Sequence, residues 1–128
     1  MLNKEDGDMT VKECYAALEG NYDEVLGRLM AEDRIKRFAL KFLADGSYEL
    51  LKTSLAAKDQ ETAFRAAHTL KGVCQNLSFT KLYQSSSSAT EALRDGDFAQ
   101  AESLFEQLTS DYNQTISALQ ALQNDSAS

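Results

Sequence analysis

At 128 residues the chain has room for one domain with a modest core, and little for a second. Apolar residues make up 43% of it, which argues against wholesale disorder. A net charge of −7 argues against nucleic acid and anionic membrane surfaces, whose phosphates would be repelled, and leaves another protein as the expected partner.

Proline and tryptophan are absent, and Ala, Leu, Glu, Gln and Lys are abundant, a composition that favours helices. No apolar run approaches membrane-spanning length, and Met1–Thr10 is acidic and polar, unlike a signal peptide. A cytoplasmic location is expected. Cys14 and Cys74 belong to no CxxC motif and make a poor disulfide framework. Cys74 falls on an apolar helical face, where a reduced thiol acts as a small hydrophobe. With a single histidine and no second ligand at helical spacing beside it, no metal site is expected.

Helix starts are marked by capping pairs three residues apart: Thr10 with Glu13, Asn21 with Glu24, and Asp97 with Gln100. Gly20 and Gly96 stand where helices would end in a left-handed residue. These signals predict short helices near 10–19 and 21–30. A long segment over 33–57 follows, then helices near 60–77, 80–95 and 97–122. Residues 1–9 are expected to be a flexible N-terminus, 10–122 one helical domain, and 123–128 a frayed C-terminus.

The long segment changes register at Asp45-Gly46. Ile35, Phe38 and Phe42 form one stripe before it, and Tyr48, Leu51 and Leu55 another after it. It reads as one kinked helix or as two. The run Ser85-Ser86-Ser87-Ser88 suggests a flexible joint, but Leu82, Ser86, Ala89 and Leu93 keep helical spacing, which favours a helix. In the last helix Phe98, Ala101, Phe105, Leu108, Tyr112, Thr115, Leu119 and Leu122 alternate by three and four, the pattern of a core stripe. Short connections at Lys58-Asp59, Phe79-Thr80 and Gly96-Asp97 make successive helices antiparallel neighbours. The expected fold is all-α: an antiparallel up-down four-helix bundle with one or two short N-terminal helices.

In the helix over 60–77, Ala63, Ala67, Leu70, Cys74 and Leu77 define the buried stripe. At roughly 100° per residue, His68 lies about 140° from the centre of that stripe, on the exposed side. Phe64, Gly72 and Gln75 fall within about 40° of His68, with Arg65 and Lys71 about 60° to either side. Taken singly these residues are ordinary: a surface histidine, two solvated cations, and a phenylalanine at the margin of the core. Gly72 needs a reason, because a glycine inside a helix costs about 1 kcal/mol relative to alanine. One reason is clearance, since Gly72 lies one turn from His68 on the same face and a side chain there would obstruct an approaching partner.

His68-Thr69-Leu70-Lys71-Gly72, preceded by Ala66-Ala67 and followed by Asn76-Leu77, closely resembles the motif of the histidine-containing phosphotransfer (HPt) domain family. The resemblance runs from about Asn21 to Leu122 and takes in the aspartate-marked turns at Asp59 and Asp97. Ser78 departs from it, standing where many members have glycine. Cys74 and Gln75 replace small residues common in the family, and Gln75 bears on partner choice.

The resemblance implies a phosphorelay carrier without kinase activity of its own. Nε2 of His68 would accept a phosphoryl group from the aspartyl phosphate of a receiver domain in a hybrid sensor kinase and pass it to the receiver of a response regulator. Lys71 and Gln75 would stabilise the phosphoryl group, and Phe64, Arg65 and Gly72 would form the docking surface. No cofactor of its own is implied, as Mg²⁺ would come with the receiver. The chain begins at Met1 without a catalytic domain, so both receivers are expected to act in trans on a monomer. The chemistry is consistent with this, since model histidine titrates near pH ~6.5 and a neutral imidazole is available as nucleophile. The alternative is a non-catalytic module that docks on a response regulator and sequesters it. The phosphorylated hairpin of a sensor kinase fits poorly: that family usually has an acidic residue where Thr69 stands, and a nearby proline. A hydrolase fits least, because no second general acid or base accompanies His68.

Overall fold

The computed structural model describes residues 9–127, and helices account for nearly all of them. Among these residues there is no strand, and no helix is long and apolar enough to cross a membrane. The flexible N-terminus expected over residues 1–9 lies outside the described residues except for Met9, whose amide donates to the Asp125 carboxylate at 2.6 Å.

The helices are α1 (Val11–Leu18), α2 (Tyr22–Leu29), α3 (Glu32–Lys41), α4 (Ser47–Ala56), α5 (Gln60–Leu77), α6 (Thr80–Arg94) and α7 (Phe98–Ala127). The capping pairs read from the sequence form as hydrogen bonds. Thr10 and Glu13 make a reciprocal capping box, Asn21 accepts from the Glu24 amide, and Asp97 accepts from the Gln100 amide. Each satisfies an amide that the first turn of a helix leaves without a partner.

Three short helices precede α4, where one or two were expected. The segment 33–57 is two helices: α3 runs into a 3₁₀ turn at Phe42–Ala44, and the chain re-enters a helix only at Ser47. The Asp45 carboxylate accepts from the Ser47 amide at 2.8 Å, holding the break. Tight 3₁₀ winding turns Phe42 into the core, against the rings of Phe79 and Tyr112.

The end of α1 also differs from expectation. Glu19, not Gly20, takes the left-handed conformation, at φ 59°. Gly20 is required for space: a Cβ there would lie 2.6 Å from the Ser78 carbonyl oxygen and 2.8 Å from side-chain atoms of Leu18 and Tyr15. Gly96 does have the left-handed conformation predicted, at φ 78°. α7 continues to Ala127, beyond the 122 at which its stripe stops. Leu122 is its last fully buried leucine, so the periodic signal ends while the backbone hydrogen bonding goes on.

The four serines lie within α6, which has no break. Buried Ser86 donates to the Leu82 carbonyl at 2.8 Å, the usual way a helical serine satisfies its hydroxyl inside a core. α5 packs between α4 and α6, α6 against α7, and α1 on α7. The Tyr48 ring of α4 stacks on Tyr112 of α7, with centroids 3.9 Å apart. Cys14 and Cys74 are free thiols in this core.

Candidate functional site

α5 carries the motif. Asp59 caps its start by accepting from the Thr62 amide, and the Thr62 side chain together with that amide holds the Asp59 carboxyl below the usual carboxylate range. Its buried face consists of Ala63, Ala66, Ala67, Leu70, Cys74 and Leu77. The alanines keep the helix slim where α4 and α6 close on it. The opposite face is then the only place left for His68, and His68 is exposed.

The helix ends at Leu77, with Ser78 in the left-handed conformation at φ 57°. A β-carbon is disfavoured there. Its hydroxyl compensates by donating to the Glu24 carboxylate at 2.7 Å and accepting from Arg28 at 3.0 Å, while its carbonyl accepts from the Asn21 amide. The departure from glycine at this position therefore ties α5 to α2 without disturbing the helix end.

α6 returns alongside α5, so that Gln60 at the start of α5 donates to the Leu93 carbonyl near the end of α6. This return brings α6 side chains to the α5 neighbours of His68, Phe64 and Lys71. The Phe64 ring packs against the His68 ring, with centroids 5.8 Å apart and planes tilted by 38°. The Arg94 guanidinium lies over Phe64, 5.2 Å from its centroid. Glu91 accepts from Arg94 Nε at 3.3 Å, and its other oxygen stands 3.9 Å from Lys71 Nζ. His68, Phe64, Arg94, Glu91 and Lys71 thus form one connected array across the two helices.

Of the six residues singled out in the sequence, the structure gathers His68, Phe64 and Lys71 into this array. Gly72 lies one turn further along the same face, where an added Cβ would meet nothing within 4 Å. Arg65 is exposed on the other flank, lining an open groove toward α4 with Leu50 and Thr69. Gln75 is separate. It is exposed two helical turns further along α5, about 10 Å in axial rise from His68. It lines a polar cleft with Glu24, Arg28, Ser78 and Tyr83.

Glu91 and Arg94 escaped the sequence reading because nothing in the α5 motif refers to them. Their signal is the short turn at Ser78-Phe79: counting outward from it in both directions sets the end of α6 against Phe64. The array is cationic around the imidazole, with one carboxylate among the cations. Such a site suits a small, doubly charged anion bound to an exposed nucleophilic ring. Among the described residues no cluster of three or more His, Cys, Asp or Glu side chains is placed to hold a metal ion.

The family model for the Hpt domain matches residues 41–124, which takes in the motif helix and both of the helices packed beside it. Neither the curated proteins nor the solved structures include a match to the chain. With the family's model spanning most of the sequence and the motif histidine exposed on its helix, this chain belongs to the HPt domain family, the phosphoryl carriers of two-component phosphorelays.

Proposed function

We propose that His68 is the phosphorylated residue of a carrier that takes a phosphoryl group from the receiver domain of a hybrid sensor kinase and delivers it to the receiver of a response regulator. On this reading residues 10–122 act as one unit. α4 to α7 make an antiparallel up-down four-helix bundle, and α1 to α3 complete it at the N-terminal side. The observation that carries the reading is the exposure of His68 on the motif helix, three residues before Lys71.

In the forward step the lone pair of His68 Nε2 attacks the phosphorus of the aspartyl phosphate in line. The Nε2–P bond forms, the P–O bond breaks, and the receiver's carboxylate leaves. The ring proton on Nδ1 is then free to pass to water. Lys71 Nζ offsets charge on the phosphoryl oxygens. Phe64 offers apolar contact and Arg65 a charge to the docking receiver, with Gly72 leaving room for its loops. Gln75, two turns further along the helix, donates a further hydrogen bond to the phosphoryl group and bears on partner choice. Mg²⁺ comes with the receiver, where it neutralises charge in transit; the cations around His68 are the wrong donor set for it. The return step reverses these bonds toward a second aspartate. The protein works as a cytoplasmic monomer and has no kinase activity of its own.

The test is incubation with a panel of radiolabelled phospho-receivers, followed by acid and alkali treatment. Label should move to the protein, be lost in acid and survive in base, and be absent in His68→Gln. Binding of receivers without label transfer by the wild-type protein would overturn the carrier reading and favour sequestration of a response regulator.

A further inference from the structure

We infer that Glu91 is a built-in counter-anion for Lys71, one that the phosphoryl group must displace, so that Glu91 sets how firmly the protein holds its phosphate. The inference rests on the carrier reading and assigns a positioning role to a residue on a different helix from the motif.

Lys71 has a partner in the resting protein: its Nζ stands 3.9 Å from a Glu91 oxygen. The two side chains are unequally placed. Lys71 is 23% exposed, so most of its side chain is covered by its neighbours. Glu91 is 53% exposed and can swing into water when displaced. Glu91 has a second tie in Arg94, which donates to it from Nε while lying over Phe64. Arg65, the remaining cation flanking His68, is on the far side of the ring and does not share this carboxylate.

A phosphoryl group on His68 Nε2 carries nearly two negative charges and three acceptor oxygens, against the single charge of a carboxylate. Both anions compete for one ammonium that stands one turn from His68. The carboxylate is already there, so the phosphoryl gains from Lys71 only what exceeds the Glu91 interaction. A carrier benefits from that arrangement, because a phosphate held less firmly is a phosphate passed on. Glu91→Gln removes the charge yet retains an oxygen to accept from Arg94, leaving the Phe64 side of the array in place.

The experiment needs no partner protein. The chain has one histidine, so phosphoramidate, a small P–N donor that releases ammonia as the Nε2–P bond forms, yields a single phosphohistidine. Lifetime is read by loss of label, and the phosphoryl group's second ionisation by ³¹P NMR against pH. Exposed ion pairs of this kind change equilibria by about two- to fivefold. Glu91→Gln should therefore lengthen the phosphohistidine lifetime about two- to fivefold and lower the ³¹P midpoint by roughly 0.3–0.7 pH unit, because a freed ammonium favours the dianion. Glu91→Ser should do the same. In a Lys71→Met background both effects should vanish, which a merely structural role of Glu91 would not produce.

Unchanged lifetime and midpoint in both Glu91 variants would overturn the proposal, as would effects that persist without Lys71. Failure of phosphoramidate to label His68 would overturn it together with the carrier reading. Should the Glu91 effects appear as stated while no receiver exchanges phosphate with His68, the counter-anion stands and the carrier reading falls.

Discussion

Substitution of Gly72 separates stability from function, because the two should move in opposite directions. An added Cβ at this position meets no atom within 4 Å, so nothing in the fold opposes a side chain. What remains is the intrinsic cost of glycine inside a helix, about 1 kcal/mol relative to alanine. Gly72→Ala should raise stability by about that amount, which for a domain of this size is roughly 3–5 °C in Tm. Gly72→Gln should gain about half as much, in line with its lower helix propensity. Gly27 supplies the control: it lies inside α2, on a different helix from His68, and its Cβ would also meet nothing within 4 Å. Gly27→Ala should raise Tm as Gly72→Ala does and leave phosphotransfer untouched. Gly72→Gln projects a side chain over the face that a receiver must approach, and misplacing that approach by even 1 Å should slow transfer by roughly tenfold or more. Thermal unfolding and transfer from a labelled phospho-receiver read the two quantities. Transfer at the wild-type rate in Gly72→Gln would refute the clearance account of this glycine, and a lowered Tm in Gly72→Ala would refute the claim that its space is empty.

Lys71→Ala should leave folding nearly unchanged, since a partly exposed pair contributes about 1 kcal/mol or less, while shortening phosphohistidine lifetime and slowing transfer; unaltered kinetics would remove Lys71 from the mechanism. Gly20→Ala should destabilise the protein by about 1–3 kcal/mol in urea unfolding, because its Cβ would press on the Ser78 carbonyl, a backbone atom that cannot step aside. Cys14 and Cys74 should react with a thiol reagent only as fast as the protein opens, and rapid labelling at neutral pH would contradict their burial. Burial pushes the Cys14 thiol up to about 11 and raises Cys74 as well. Unfolded thiols ionise near pH ~8.5, so above that pH the unfolded chain binds fewer protons than the folded one. Their contribution is therefore whole below that pH and lost as pH rises toward the folded values, which unfolding measured between pH 8 and 11 should register as falling stability.

Much of the molecule was legible in its residues. The exposed position of His68 followed from counting angles around α5, because alanines and leucines at three- and four-residue spacing leave one direction open. The capping pairs at Thr10, Asn21 and Asp97 were legible for the same reason, as each bond closes within three residues of its donor. The break near Asp45 was visible only as a change of register. Whether it separated two helices depended on Phe42 finding Phe79 and Tyr112, which are distant in sequence. The end of α1 was misread because Gly20 carries both signals, freedom of φ and absence of a side chain, and only the neighbouring Ser78 carbonyl reveals which one the chain uses.

Local chemistry along the chain thus determined where the helices lie, which faces turn inward, and that one imidazole with a lysine and a glycine stands on an outer face. These are matters of helical pitch and of hydrogen bonds a few residues long. Tertiary structure decided which charges meet. Glu91 and Arg94 reach Lys71 and Phe64 only because α6 is docked on α5 at one axial register and one rotation. That register is set by the packing of many buried side chains together, and no short stretch of sequence encodes it.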